Sequence, residues 1–589
     1  MAIRLKPVDV VLVGMGWTGS ILAKELSAAG LRVVGLERGG WRETVPNFQS
    51  PAMHDELRYA VRHGLMQDTS RETLTFRNNV RQDALPMRQL GSFLLGDHVG
   101  GAGVHWNGQV FRFHPFDFQW RSHHVERYGA DIIDPELTIQ DWPVSYDELE
   151  PYFDRFEYLC GIGGKAGNLR GEIQPGGNPF EGWRSREFPN PPMKLAYGGK
   201  LFADAARAQG YAPFPVPSAN LTRNYTNPEG LRMNACTYCG YCERFGCEHF
   251  AKASPQTSIL PLAMQNENFE LRTHAHVTRV NTAGVGGLAT GVTYVDARGR
   301  EYEQPAELVI LCAFGIHNVR LLLLSGIGEP YDPRTGEGVV GRNYSYQTMS
   351  SVDIFYPPDT HINPFMGAGA LGMVIDDFNG DNFDHSELGF IGGAYIAAYT
   401  TGARPIEHHA VPEDTPRWGA AWKQAVARYF NNNVGLTIHG SSMAHRANYL
   451  DLDPTYRDAY GQPLLRMTFD FPANDKRMSH YVTARAAEIA EAMGGEQVSV
   501  SEVDEHYSIV PYQSTHNTGG AIMGVDPASS AINRYLQSWA AHNVFVMGAS
   551  AFPQNPGYNP TDTVGALTYW AAEAILNDYV KNPRPLVDA

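Results

Sequence analysis

The stretch "VDVVLVGMGWTG", residues 8–19, decides how the chain begins to fold. Its first six residues make a nearly unbroken apolar run of strand length, and Gly14, Gly16 and Gly19 follow at once in the spacing G-x-G-x-x-G. A run of this kind bounded by glycine reads as a buried strand entering a tight turn. The next segment, "SILAKELSAAG", spaces its apolar residues as a helix does and stops at Gly30, and "LRVVGLE" then reads as a second buried strand ending at Glu37.

Each glycine has its own physical role in that order. Gly14 permits the tight turn, Gly16 lets a pyrophosphate approach the backbone, and Gly19 allows the helix to pack closely on the strand. The helix N-terminus then faces the phosphates. Glu37, 21 residues beyond Gly16, is placed to accept hydrogen bonds from the ribose hydroxyls of an adenosine. The glycines alone also fit a turn without function; strand, turn, helix, strand and acid together point to a dinucleotide.

Composition bounds the rest. The 589 residues are 43% hydrophobic and 19% charged, with 60 glycines and 38 prolines, as expected of a folded chain rich in turns. A formal net charge of −16 argues against broad nucleic-acid binding, which needs a concentrated basic surface, and leaves room for a small acidic substrate. No run of about eighteen apolar residues is present to span a bilayer, and the start "MAIRLKPVDVVLVGMG" passes directly into the first strand without a recognisable signal peptide. On the sequence alone the expected compartment is the cytoplasm.

Two further segments carry chemistry. "GDHVGGAGVHWNGQVFRF", residues 96–113, has glycines that imply close backbone approach to a flat or charged group. "STHNTGGAIMG", residues 514–524, precedes "NVFVMGAS" and "PQNPGYNPTDTVGALTYWAAEAI". Together with the opening motif and "AELVILCAFGIHNVRLLLLSGIG", residues 306–328, these stretches resemble the glucose–methanol–choline (GMC) family of FAD oxidoreductases over essentially the whole chain.

The resemblance implies an α/β fold of GMC type: a Rossmann-like FAD-binding domain interleaved with an α+β substrate domain, a sheet backed by helices. The FAD-binding part is expected at 1–130, 220–340 and 505–589, and the substrate domain with interface loops at 131–219 and 341–504. Gly100, Gly101, His105, Trp106, Asn107 and Gly548 become cofactor residues beside Gly14, Gly16, Gly19 and Glu37. His105 and Trp106 match a segment whose histidine bonds covalently to the flavin in some members; the alternative is a histidine that only packs beside the ring. His516 aligns with the family's catalytic histidine and Asn559 with its second active-site position. Alcohol oxidation needs a base for the hydroxyl proton, and an imidazole suits that task while an amide holds the oxygen. Asn517 and Arg446 are substrate candidates, the latter for a carboxylate.

One loop remains. "NACTYCGYCERFGCEHF", residues 234–250, puts Cys236, Cys239, Cys242 and Cys247 in the pattern C-x2-C-x2-C-x4-C. Zinc usually draws paired cysteines from two separated knuckles, whereas this compact run suits one polynuclear cluster; zinc and a redox-inert loop stay as alternatives. The loop looks most like the gluconate 2-dehydrogenase branch of bacterial membrane-bound sugar and sugar-acid dehydrogenases, related to fructose, sorbitol and FAD-glucose dehydrogenases. That likeness implies an iron–sulfur cluster, 3Fe–4S before 4Fe–4S. It also implies a small helper subunit, a multi-haem cytochrome c subunit, indirect membrane association and periplasmic export with the helper. D-gluconate is the first substrate expected, with other polyols and sugars, an oxygen-using oxidase and a non-catalytic scaffold as rivals. Cys160 and Cys312 read as buried residues, and the Gly, Pro and Asn-rich segment 160–235 as long aperiodic excursions.

Overall fold

The structure, a computed structural model, describes residues 2–49, 62–88, 93–284, 286–402, 409–511 and 513–588. The apolar run becomes the strand Val8–Val13, buried over its last four residues, and the helix Trp17–Ala28 starts directly after Gly16. Gly14 takes φ +97°, and a Cβ there would stand 2.5 Å from the Cys312 carbonyl oxygen. A Cβ on Gly19 would stand 2.1 Å from the Gly14 carbonyl oxygen, so helix and strand touch only because neither residue has a side chain.

Around this turn forms a sheet in the order Phe269–Arg272, Val33–Leu36, Val8–Val13, Glu301–Leu311, Ala289–Val295, His276–Thr282. The long strand Glu301–Leu311 is its hinge. Its second half runs parallel to Val8–Val13, and Val544–Val546 lies parallel along it too, while its first half is antiparallel to Ala289–Val295. Chain from the beginning, the middle and the end therefore shares one sheet, and the ends of the parallel strands meet at one place. Long apolar runs such as "AELVIL" fit there because both faces of this sheet are covered.

The second large sheet is antiparallel, in the order Gln497–Ser501, Thr348–Phe355, Asn433–Gly440, Ala394–Tyr399, Gly372–Ile375, Phe214–Pro215. Alternation along its strands gives it two faces. Val352, Ile354, Ile396, Ala398, Leu436 and Ile438 form a core with the helices Ala473–Ala492 and Tyr197–Ala208. Tyr395, Tyr399 and His439 point to the other face. The fold is thus mixed α/β with helix-backed sheets. The helix Tyr197–Ala208 corrects the aperiodic reading of 160–235: paired glycines at its start hide a pattern in which Phe202, Ala203 and Ala206 pack on the sheet.

The helix Tyr146–Cys160 begins in a capping box, Ser145 with Glu148, and ends on Gly161 in the left-handed region. It packs against the helix Thr561–Ala574. Between them and the chain after residue 106 lies a buried ionic network. Arg112 meets Glu157 at 2.7 Å and Glu150 at 3.2 Å, and Arg184 meets Glu157 at 2.8 Å. Among the described residues no helix is long and apolar enough to cross a membrane.

Candidate active site

A cavity of about 270 Å³ starts at the glycine turn and extends to His516. Gly14, Gly16, Trp17, Glu37 and Arg38 border one part, Gly101, Trp106 and Cys312 the middle, and His516, Asn517, Gly548, Pro560 and Thr561 the rest. At the first part Glu37, only 5% exposed, accepts from the Met15 and Gly39 N–H groups at 3.0 and 2.9 Å. Burial raises its pKa, with those two bonds opposing. Beside it, burial pushes Glu72 up, but His317, Arg38 and Arg320 hold it well below the usual carboxylate range.

The residues fit a dinucleotide. A Cβ on Gly16 would meet no protein atom nearer than the Gly100 carbonyl at 3.9 Å, so it would fill the cavity itself. The N–H groups that open the helix Trp17–Ala28 have no side-chain cap and border the same space. At the far part a second helix, Thr561–Ala574, presents its N-terminus, again without a side-chain cap, where negative charge is favoured. Asn517 Oδ1 accepts from the Tyr344 hydroxyl, and its buried Nδ2 has no partner among the described residues.

His516 is held by a chain of bonds that fixes its tautomer. Gln347 donates through Nε2 to the Gly557 carbonyl, which leaves its Oε1 to accept from His516 Nδ1–H at 2.7 Å. His516 Nε2 therefore carries the lone pair, and Asn559 Nδ2 lies 3.4 Å from it. Burial lowers the imidazole pKa to about 4, so the ring is a neutral acceptor at neutral pH. Asn559 is oriented in the same manner. Gln109 donates to the Gly369 carbonyl and accepts from Asn559 Nδ2 at 3.0 Å, so Asn559 Oδ1 turns to the Tyr395 hydroxyl, also at 3.0 Å. Tyr395 in turn meets His439 Nδ1 at 2.6 Å, and the His439 ring stands edge-on to His516, centroids 6.3 Å apart.

Other expected residues fall in different places. Gly19 packs on Gly14, while Gly100 takes φ +93° and donates to the Met15 carbonyl. Asn107 lies behind the wall with its backbone against Gly369. His105 is buried and does not border the cavity; its Nε2–H donates to the Leu94 carbonyl at 2.9 Å, and its Nδ1 has no partner among the described residues. Burial, then His98, lowers its pKa to about 3. Arg446 is not brought to the site. Its half-exposed guanidinium lies 3.5 Å from Glu136 and 3.4 Å from the Pro333 carbonyl, away from the residues that border the cavity. Sequence reasoning missed Gln347, Gln109, Tyr395 and His439; Gln109 lies within the glycine-rich stretch 96–113 without being marked by it, the others have no local motif, and only the paired strands 394–399 and 433–440 bring the last two together.

The cysteine loop packs directly behind this wall. Cys236, Cys239, Cys242 and Cys247 border one small enclosure and none is in a disulfide. The Tyr238 and Ala251 N–H groups point at the Cys236 and Cys247 sulfurs, each at 3.4 Å, and Asn220 Nδ2 lies 3.7 Å from Cys242 Sγ. Burial pushes the Cys236 thiol up to about 12, a cost that metal ligation removes by taking the proton's place. Donors aimed at sulfur fit thiolates that carry charge on a metal or cluster. Cys239, Glu248 and His249 also converge closely enough to share an ion. The loop is tied to the wall by Arg244 N–H to the His105 carbonyl at 2.8 Å.

Comparison with known proteins agrees with this architecture. Two GMC oxidoreductase family models match, over residues 141–349 and 444–568. The chain is 50% identical to the gluconate 2-dehydrogenase flavoprotein of Pantoea cypripedii, covering 100% of this chain and 97% of that one. It is 25% identical to the fructose dehydrogenase large subunit of Gluconobacter japonicus, covering 97% and 98%. The crystal structure of pyridoxine 4-oxidase from Mesorbium loti superposes with a TM-score of 0.58 at 18% identity, covering 98% of this chain and 100% of that one, and shows the fold. With two family models spanning over half its length and a full-length relative at 50% identity, the chain belongs to the GMC oxidoreductase family.

Proposed function

We propose that the protein is an FAD-dependent dehydrogenase of CH–OH donors that oxidises a secondary alcohol of a sugar acid or polyol, D-gluconate to 2-keto-D-gluconate first. The observation that carries this reading is one cavity bordered both by the glycine turn with Glu37 and by His516. The substrate class rests on the relative at 50% identity. When bound, FAD supplies a two-electron hydride acceptor and an iron–sulfur cluster a one-electron exit.

The chain's own residues do the rest. Gly14, Gly16, Glu37, Gly101, Trp106 and Gly548 hold the dinucleotide, with segments 1–130, 220–340 and 505–589 as its domain and 131–219 with 341–504 as the substrate domain. Asn559 Nδ2 donates to the substrate hydroxyl oxygen, and His516 Nε2 takes the hydroxyl proton as the C–H bond breaks. Gln347 stabilises the imidazolium through Nδ1–H, and Asn517 Nδ2 is free to bind flavin or substrate. A covalent flavin link through His105 would use Nδ1, which has no partner among the described residues, and would need the ring to reach the cavity that it does not border here. Flavin wholly in the supernatant after acid precipitation would exclude that link.

Cys236, Cys239, Cys242 and Cys247 ligate the cluster, 3Fe–4S before 4Fe–4S, and the surrounding loops meet a small helper and a cytochrome c subunit. That a relative is itself named a large subunit supports a heteromeric complex. Export with the helper puts the enzyme on the periplasmic face of the inner membrane, which fractionation with and without the helper tests. Anaerobic flavin bleaching by D-gluconate, set against sorbitol, fructose and ketogluconate, tests the substrate. Bleaching by none of them excludes the dehydrogenase reading, and rapid peroxide formation in air supports an oxidase instead.

A further inference from the structure

Lys252 is a cation that the catalytic reading does not use. Its side chain is 1% exposed, yet among the described residues no carboxylate lies within ion-pair distance of it. The ammonium instead donates to three backbone carbonyls: Trp106 at 2.6 Å, Cys242 at 2.8 Å and Phe245 at 2.8 Å. Three acceptors match the three hydrogens of an ammonium, whereas a neutral amine has two. The three carbonyls thus suit the ammonium, although burial lowers the Lys252 pKa and so disfavours a charge left without compensation. Carbonyl dipoles solvate such a charge in part, but a buried cation is retained as a rule only with a counter-charge.

The groups that surround it supply no anion as free thiols. All four loop cysteines lie near enough to act on it electrostatically, and Lys252 borders the enclosure they line. Glu248 borders the same enclosure, but its carboxylate stands 3.0 Å from His249. Four thiolates around a divalent metal, or around a cluster of iron and sulfide, leave a net negative charge in that enclosure. The Trp106 carbonyl belongs to the cavity wall, and those of Cys242 and Phe245 to the cysteine loop, so one side chain ties the two together.

We infer that Lys252 is the fixed counter-charge of an anionic, thiolate-bound metal centre in the cysteine loop, and the tie that holds this centre against the wall of the flavin cavity. The inference rests on the loop binding a metal, as proposed above, but not on which metal. It assigns Lys252 a positioning and electrostatic role, with no contact to substrate. Removing the charge leaves an anionic centre without compensation, which lowers its retention and makes its reduction harder.

The test uses the full chain, with its partner subunits where they copurify, as wild type, Lys252→Gln and Lys252→Arg. Gln keeps two donors and loses the charge; Arg keeps the charge. Flavin content and the rate of anaerobic bleaching by D-gluconate report folding and the catalytic site, and neither should change. The readout is iron, zinc and acid-labile sulfide per flavin before and after incubation with a chelator, with low-temperature EPR on the same samples. Lys252→Gln should lose its metal about 10- to 100-fold faster than wild type, as removal of partners around a metal site usually does, with Lys252→Arg close to wild type.

Metal retained equally by Lys252→Gln and wild type overturns the inference and leaves the iron–sulfur reading standing. Wild type holding zinc, lost faster from Lys252→Gln, removes the iron–sulfur reading and keeps the inference. Wild type with neither metal overturns both. If Lys252→Gln comes without flavin, Lys252→Arg decides: wild-type retention supports a role for charge, and metal loss about 10-fold or more faster than wild type overturns it.

Discussion

Gln347 offers the sharpest perturbation of the site, because it sets the His516 tautomer without itself bordering the cavity. Its Oε1 accepts from Nδ1–H at 2.7 Å, and its own amide is fixed by the Gly557 carbonyl. While the imidazole is neutral that bond is worth about 1 kcal/mol, and once Nε2 takes a proton it becomes charge-assisted, about 1.5–3 kcal/mol. Loss of the difference raises the barrier by about 0.5–2 kcal/mol, a roughly 2- to 30-fold slower bleaching step, and loss of the preferred tautomer adds to it. Gln347→Leu should therefore bleach slowly under single-turnover conditions at saturating D-gluconate, with full flavin content.

The pH profile separates this role from a merely structural one. Burial lowers the His516 pKa to about 4, so wild type should keep its base neutral, and its rate flat, down to about pH 4. The same shift costs stability as pH falls from the ordinary value of 6.5 towards 4, because the unfolded imidazole takes the proton first. Gln347→Glu places a carboxylate against Nδ1 and should move the acid limb of the rate up by about one to three pH units. Gln347→Leu should not. Wild-type rates and an unmoved acid limb in both variants would refute the assignment of Gln347 and, with it, the tautomer of His516.

Other consequences follow from the same contacts. Tyr395→Phe removes the donor to Asn559 Oδ1 and should slow bleaching by about fivefold, the worth of one neutral hydrogen bond, read in the same stopped-flow assay. Gly16→Ala puts a methyl group into the cavity and should weaken FAD retention on dialysis without unfolding the chain, whereas Gly14→Ala, at φ +97° and 2.5 Å from the Cys312 oxygen, should also lower the melting temperature. Arg446→Ala should leave KM for D-gluconate unchanged, since the residue is paired at the surface with Glu136. Arg112→Met removes the ion-pair partner of buried Glu150, leaves Glu157 with Arg184 alone, and should destabilise the protein by about 3–5 kcal/mol in thermal or denaturant unfolding.

What the sequence reveals divides by distance along the chain. The strand, turn and helix at 8–28 are legible because the glycine spacing is local and each glycine answers a clash that a side chain would create. His516 and Asn559 are legible through the family likeness of their segments. Gln347, Gln109 and Tyr395 are not, because each acquires its meaning from a partner more than 160 positions away. No motif marks Lys252, and only the fold brings three carbonyls around it. For Arg446 the sequence gives no sign of which way the side chain faces, and the fold turns it to Glu136. The helix Tyr197–Ala208 is hidden by its opening glycines, whose helical cost is met by packing on the antiparallel sheet.

The measurement that tests the enzyme most directly is anaerobic stopped-flow reduction of the bound flavin by D-gluconate in wild type and His516→Gln. Wild type should bleach within the dead time to seconds, and His516→Gln, with its flavin spectrum intact, about 10²- to 10⁴-fold more slowly, as the loss of a general base requires. Equal bleaching rates in the two proteins would remove His516 as the base, and a flavin that neither D-gluconate nor any other polyol reduces would contradict the dehydrogenase itself.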